Sequence, residues 1–185
     1  MSNHDRLSGF HANAARFTSV VDAGGTWDGA SPCAGWTSRD VLRHVVETQR
    51  NFLEQRGAGL APAPDLDLDL DPARAWGAHL AAVRRAAEDR DFVETEYDGH
   101  FGRTSVAATL ADFYGFDMLV HRWDLARGLG QDAGFTDAEL DTIETALEGF
   151  GDNLYLDGVC APAVPVPDDA PRERALLARM GRSAG

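Results

Sequence analysis

The stretch from Thr104 to Gly130 constrains the fold most, because it reads as one long helix with three polar residues set into its apolar face. At 3.6 residues per turn, Leu110, Phe113, Tyr114, Val120 and Leu125 fall on one broad stripe. Asp117, His121 and Asp124 fall at the centre of that same stripe. Two carboxylates and an imidazole turned towards a core carry a desolvation cost unless they are paired, hydrogen-bonded or bound to a cation. Asp117 and His121 are four residues apart and lie about 40° from each other around the axis, so both reach one point in space. A metal ion at that point is one expectation. The other is a core histidine held by hydrogen bonds to Asp117 or Asp124.

The rest of the chain supplies helices for this one to pack against. A first helix is expected from about His4 to Asp22, with Leu7, Phe10, Ala14, Phe17, Val20 and Val21 at three- and four-residue spacing and Gly24 and Gly25 as its stop. Trp27 to Trp36 is a compact loop in which proline and glycine forbid a continued helix. Thr37 and Asp40 form a capping box that opens a second helix carrying Val41, Leu42, Val45, Val46, Phe52 and Leu53 inwards and ending near Gly57. The segment Gly57 to Asp71, with alternating aspartate and leucine, is expected as an extended exposed connection; it lacks the glycine and glutamate of a calcium loop. A third helix spans about Pro72 to Asp89, with Trp76, Leu80 and Val83 inside, and Phe92 to Arg103 reads as a short hairpin around Asp98-Gly99. Thr136 and Glu139 form a second capping box, opening a helix through Leu140, Ile143, Leu147 and Phe150 to about Tyr155. Beyond it, Pro162, Pro165 and Pro167 impose an extended path before a last short helix, Arg172 to Met180, whose Leu176 and Leu177 pack back on the bundle. The pattern specifies a single-domain, all-α bundle spanning residues 1–185.

Charge and cysteine content narrow the class of function. Thirty acidic residues against 17 basic ones give a net charge of -13, which repels phosphate backbones and anionic lipid, so neither nucleic acid nor membrane is an expected partner. Neither a spanning apolar run nor a signal-peptide pattern is evident, and a cytoplasmic location is expected. Two cysteines, Cys33 and Cys160, are too few for a disulfide framework. Every basic residue is an arginine, in keeping with a high-GC bacterial genome.

Among six histidines, His44 on the second helix and His79 on the third are the candidates for a third ligand beside Asp117 and His121. His44 stands at the flank of its apolar stripe, so periodicity alone does not select it. Cys33 stands shortly before the helix carrying His44, which makes it a nucleophile candidate; with nothing basic beside it, it reads first as a small residue buried in a tight loop. Trp36 and Trp123 read as packing residues, with pocket walls as the alternative, and Arg122 and Arg127 as exposed helical arginines. The glycines Gly128, Gly130 and Gly134 follow a helix, which is the wrong context for dinucleotide binding.

The pattern Pro32-Cys33-x-Gly35-Trp36-Thr37-x3-Val41-Leu42-x-His44, followed by Asp117-x3-His121-x-Trp123-Asp124-Leu125-Ala126, resembles the metal-binding branch of the DinB-like family. Within that branch it resembles the N-terminal domain of mycothiol-dependent maleylpyruvate isomerase and its actinobacterial relatives. The tail, Pro162-x-Val164-Pro165-Val166-Pro167 leading to Arg174-x2-Leu177-x3-Gly181-Arg182, is similar to that of a subfamily of this length. The resemblance implies a DinB-like four-helix bundle with an extra C-terminal helix and extended tail. It implies that His44, Asp117 and His121 bind one divalent metal, zinc first, with iron or nickel suited to the same donors. Relatives often carry glutamate or histidine at the place of Asp117. It gives Asp124 the role of orienting a ligand imidazole or capping a neighbouring helix. By analogy the chain is a thiol-dependent transferase or isomerase using mycothiol or another low-molecular-weight thiol on a small-molecule substrate; a homodimer also fits the family. The alternatives are a metal-dependent hydrolase and a metal- or ligand-binding protein without turnover. The isomerase has a further C-terminal domain contributing to its active site and this chain ends soon after the bundle, so maleylpyruvate isomerisation itself is not expected.

Overall fold

The structure, a computed structural model, describes residues 3–60, 71–99, 102–156 and 159–183. Helix α1 (Asn3–Ala23) turns its Phe10, Ala14, Phe17 and Val21 inwards, as their spacing requires. Helix α2 (Ser38–Gln55) opens on the expected capping box, in which Thr37 accepts from the Asp40 N–H and Asp40 accepts from the Thr37 N–H. Helix α3 (Pro72–Glu88) starts with Pro72 in its first turn and buries Trp76, Leu80 and Val83. The expected connection from Gly57 to Asp71 lies mostly outside the described residues.

The hairpin is present but shifted. A short helix α4 (Arg90–Glu94) takes up Phe92 and Val93, and strands β1 (Glu96–Gly99) and β2 (Gly102–Ser105) pair antiparallel with Gly99 opposite Gly102. Asp98 and Gly99 thus belong to β1 and not to the turn, whose residues 100–101 lie outside the described ones.

The long helix begins two residues later than its periodicity suggested. Thr104 and Ser105 are in β2, and the Ser105 side chain caps α5 (Val106–Thr109) by accepting from Ala108 N–H. A π turn, Leu110–Tyr114, follows, and then α6 (Gly115–Leu129), which ends at Gly130 in the left-handed conformation. In the π turn the Gly115 N–H reaches back five residues to Leu110 O. The wider turn inserts one residue, about 100° of phase, and this breaks the predicted stripe. Leu110 and Tyr114 stay buried, but Phe113 is 39% exposed and is not a core residue. On the α1 side, Asn13 donates to Gly115 O at 2.9 Å, and α1 comes close where Gly115 has no side chain.

Helix α7 (Asp137–Phe150) opens on the second capping box and passes into a 3-10 turn, Gly151–Tyr155; α8 (Arg172–Arg179) is the last element. Two apolar clusters share α6. The larger one joins α1, α2, α3 and α6 through residues such as Phe17, Leu42, Trp76 and Leu125. The smaller joins the other face of α6, at Leu119, Val120 and Trp123, to Ile143 and Leu147 of α7 and to Leu176 and Leu177 of α8. The tail helix therefore packs back on the bundle as expected, and α6, covered on both sides, is the central element.

Candidate metal centre

The N-terminal end of α2 is pressed onto the C-terminal end of α6. A Cβ at Gly128 would stand 2.5 Å from Ser38 Oγ, so only glycine allows this approach. Ser38 is fully buried and donates to Thr26 O at 3.2 Å, tying the preceding loop into the same junction. Six residues along α2 from that contact, His44 faces Asp117 of α6.

There His44, Asp117 and His121 converge. Asp117 Oδ1 lies 3.7 Å from His44 Nε2 and 3.4 Å from His121 Nε2. These separations are too long for charge-assisted hydrogen bonds, which run about 2.7–2.9 Å. They are close to the spacing of about 3.3 Å expected between two ligands of one tetrahedral ion with bonds near 2.05 Å. Asp117 Oδ2 is buried without a hydrogen-bond partner among the described residues. A buried carboxylate oxygen with no donor is costly, and a cation held there would offset that cost. The donor set and its spacing therefore fit a divalent metal.

Burial opposes ionisation of Asp117, yet His121 and His44 hold its carboxyl well below the usual carboxylate range. Burial likewise opposes protonation of His121, and Asp117 nevertheless pushes its basicity well above the ordinary imidazole value, helped by Asp124 and Cys33. The two shifts are reciprocal: the Asp117 carboxylate and the His121 imidazolium each favour the other's charged form.

Behind His121 the order continues. Asp124 is fully buried, and its Oδ2 lies 3.0 Å from His121 Nδ1, which fixes the ring with Nε2 towards Asp117. Burial would raise the Asp124 pKa, but the bond to His121 and the charge of Arg182 hold it at about 2. Arg182 donates to both Asp124 oxygens, from Nη2 at 2.8 Å and from Nε at 3.3 Å, and to Met180 O from Nη1 at 2.8 Å. Trp36 covers the site, its ring centroid 4.9 Å from that of His44 and 6.1 Å from that of His121. It is a wall of the site as well as a packing residue.

The serious alternative ligand, His79, is elsewhere: it is fully buried beside Gln49, whose Oε1 lies 3.0 Å from its Nε2. Burial, with the nearby Arg50 charge, lowers its pKa to about 3, so it stays neutral in the core. Cys33 corrects another expectation. It is partly exposed, and Arg182 Nη2 lies 3.6 Å from its Sγ while Nη1 lies 3.9 Å from Cys160 Sγ. A basic group does neighbour Cys33, brought by the tail from 149 positions away. Arg122 is engaged with Glu139 and Gly134 O, away from the site.

Residues 7–126 match the family described as the mycothiol maleylpyruvate isomerase N-terminal domain. Among solved structures, the chain is similar to the crystal structure of a histidine-to-alanine mutant of mycothiol-dependent maleylpyruvate isomerase, with TM-score 0.52 and 16% identity over 77% of this chain and 68% of that chain. At that identity the likeness concerns the fold, and it agrees with the DinB-like helical bundle. No curated protein matches.

Proposed function

Because the chain belongs to the mycothiol maleylpyruvate isomerase N-terminal domain family, we propose that it is a divalent-metal protein acting as a thiol-dependent transferase or isomerase, with mycothiol or a similar small thiol as cosubstrate. One observation carries the metal: Asp117 Oδ1 stands between two imidazole Nε2 atoms at 3.4 and 3.7 Å while its Oδ2 has no donor. His44, Asp117 and His121 would hold the ion, and zinc suits two imidazoles and a carboxylate best, with iron or nickel next. When bound, such an ion lowers the pKa of a thiol and keeps its thiolate beside an electrophile.

The chain's own residues orient and shield. Asp124 holds His121 in one tautomer, Arg182 holds Asp124 ionised, and Trp36 keeps water from one face of the imidazoles. No transmembrane-length apolar helix occurs among the described residues. Metal analysis of the purified protein beside His44→Ala and Asp117→Ala tests the shared premise. One equivalent in the parent and loss in both variants is expected, and full retention in both overturns the site. Incubation of the metal-loaded protein with mycothiol and electrophiles then separates enzyme from binder, since a binder gives affinity without product. Release of a cleaved product without thiol would favour a hydrolase instead.

A further inference from the structure

We propose that Cys33 is a modification site: in the larger cleft beside the candidate metal centre it takes one half of a low-molecular-weight disulfide and holds it as a mixed disulfide. The proposed function supplies only the reagent, the disulfide of the small thiol. Two clefts, of about 150 and 490 Å³, open on His44 and His121. The larger lies between the loop of residues 31–36 and the tail, and its volume falls within the roughly 300–1,000 Å³ of small-molecule sites. Cys33 and Cys160, the two cysteines of the chain, both stand in its wall, with Arg182.

The two thiols are not equivalent. Cys160 packs against the smaller apolar cluster, its N–H donates to Leu154 O at 3.1 Å, and burial pushes its thiol up. Cys33 is fixed in a loop closed by its own hydrogen bonds: Ser31 N–H donates to Trp36 O at 2.8 Å, Trp36 N–H to Cys33 O at 3.0 Å, and Cys33 N–H to Ser31 Oγ at 3.2 Å. It is partly exposed, with Arg182 Nη2 3.6 Å from its Sγ. A partly exposed sulfur beside a fixed cation is the setting in which a thiolate attacks. Each sulfur has its own nitrogen of that guanidinium, Cys33 on Nη2 and Cys160 on Nη1, and Asp124 and Met180 O anchor the group. The anchored guanidinium keeps the thiols apart, so Cys160 does not displace the group taken by Cys33, and the mixed disulfide is the end product. The step balances without another oxidant. Cys33 gives its proton to solvent and its sulfur bonds to one sulfur of the reagent. The reagent's S–S bond breaks, and the other half leaves as a thiolate with the bonding pair and takes up a proton. The adduct then stands beside His44 and His121, across the larger approach to the site.

The test is incubation of the reduced protein with mycothiol disulfide, followed by intact-mass and peptide mass spectrometry. One adduct per chain is expected, on Cys33, formed at least about tenfold faster than on Cys160 and reversed by dithiothreitol. Cys33→Ser should take no adduct at that rate, and Cys160→Ser should take it as the parent does. In urea, where the cleft is gone, the two cysteines should react within about twofold of each other, which separates a built site from ordinary thiol reactivity. Equal rates in the folded protein, faster reaction at Cys160, or a Cys33–Cys160 disulfide in place of the adduct overturns the inference. Metal analysis of the same samples keeps the two readings apart. Metal without an adduct overturns this inference alone, and an adduct on Cys33 without metal overturns the metal centre alone.

Discussion

Replacing Arg182 with methionine should cost more stability than any surface change in this protein. The guanidinium is buried, donates to both oxygens of a fully buried carboxylate and lies in a segment that the family match does not cover. Removing one member of a buried ion pair leaves the other uncompensated, which costs about 3–5 kcal/mol. Against a total of about 5–15 kcal/mol for a domain, this is a large fraction. Asp124→Asn removes the stranded charge, so the double variant should be more stable than the sum of the single losses, with a coupling of about 1–3 kcal/mol. Urea unfolding of all four proteins at one pH, with chelator present to remove metal linkage, measures the cycle. The acid limb offers a second check. The Asp124 pKa is about 2 in the folded protein against 3.8 for a free carboxyl, so its contribution is complete above pH 3.8 and is lost as the pH falls towards 2. Asp124→Asn should lack that loss. An unfolding free energy for Arg182→Met within about 0.5 kcal/mol of the parent, or strict additivity, would refute the idea that this pair sustains the site.

His79 has the opposite charge logic and the same sense of pH. Its folded pKa of about 3 lies below the free value of 6.5, so the unfolded chain takes a proton that the core refuses. Stability should be full above pH 6.5 and fall by roughly 1.4 kcal/mol per pH unit below it, a slope that unfolding curves of His79→Asn would show to be shallower. The π-turn phase predicts that Leu110→Ala costs about 2–5 kcal/mol while Phe113→Ala costs under about 1 kcal/mol; equal costs in thermal unfolding would place Phe113 in the core. Gly128→Ala should cost about 1–3 kcal/mol and weaken metal binding, because its Cβ would displace Ser38 and with it α2. Unchanged metal affinity by equilibrium dialysis would break the link between that close approach and His44.

What the sequence made legible is what is local. Capping boxes at Thr37 and Thr136, and the three- and four-residue spacing of α1, α2, α3 and α7, are set by nearest neighbours along the chain, and each is present in the structure. The π turn is not local. Nothing in Leu110 to Tyr114 interrupts a helix, and the shift of phase goes with a contact from α1, where Asn13 bonds Gly115 O. Periodicity therefore misplaced Phe113 by one side of the helix while still placing Leu110, Val120 and Leu125 inside.

The polar residues on α6 were legible in a different way, as a demand without a supplier. A carboxylate at Asp124 requires a partner, but 17 arginines gave no means of choosing one. Arg182 meets the demand from 58 residues away, and in doing so becomes the basic neighbour that Cys33 lacked in sequence. His44 sits at a helix flank because its role is to face α6 across a cleft and not to fill a core, which is why hydrophobic spacing passed over it. Once His121, Arg182 and His44 are assigned, the demand of Asp124 is satisfied and that of Asp117 only half so. Its Oδ2 remains without a donor. On α6 the buried polar atoms left without a partner among the described residues are this acceptor and the Arg122 Nε donor, and the acceptor, set between two imidazoles that open on a cleft, has the charge, spacing and access that a cation site requires.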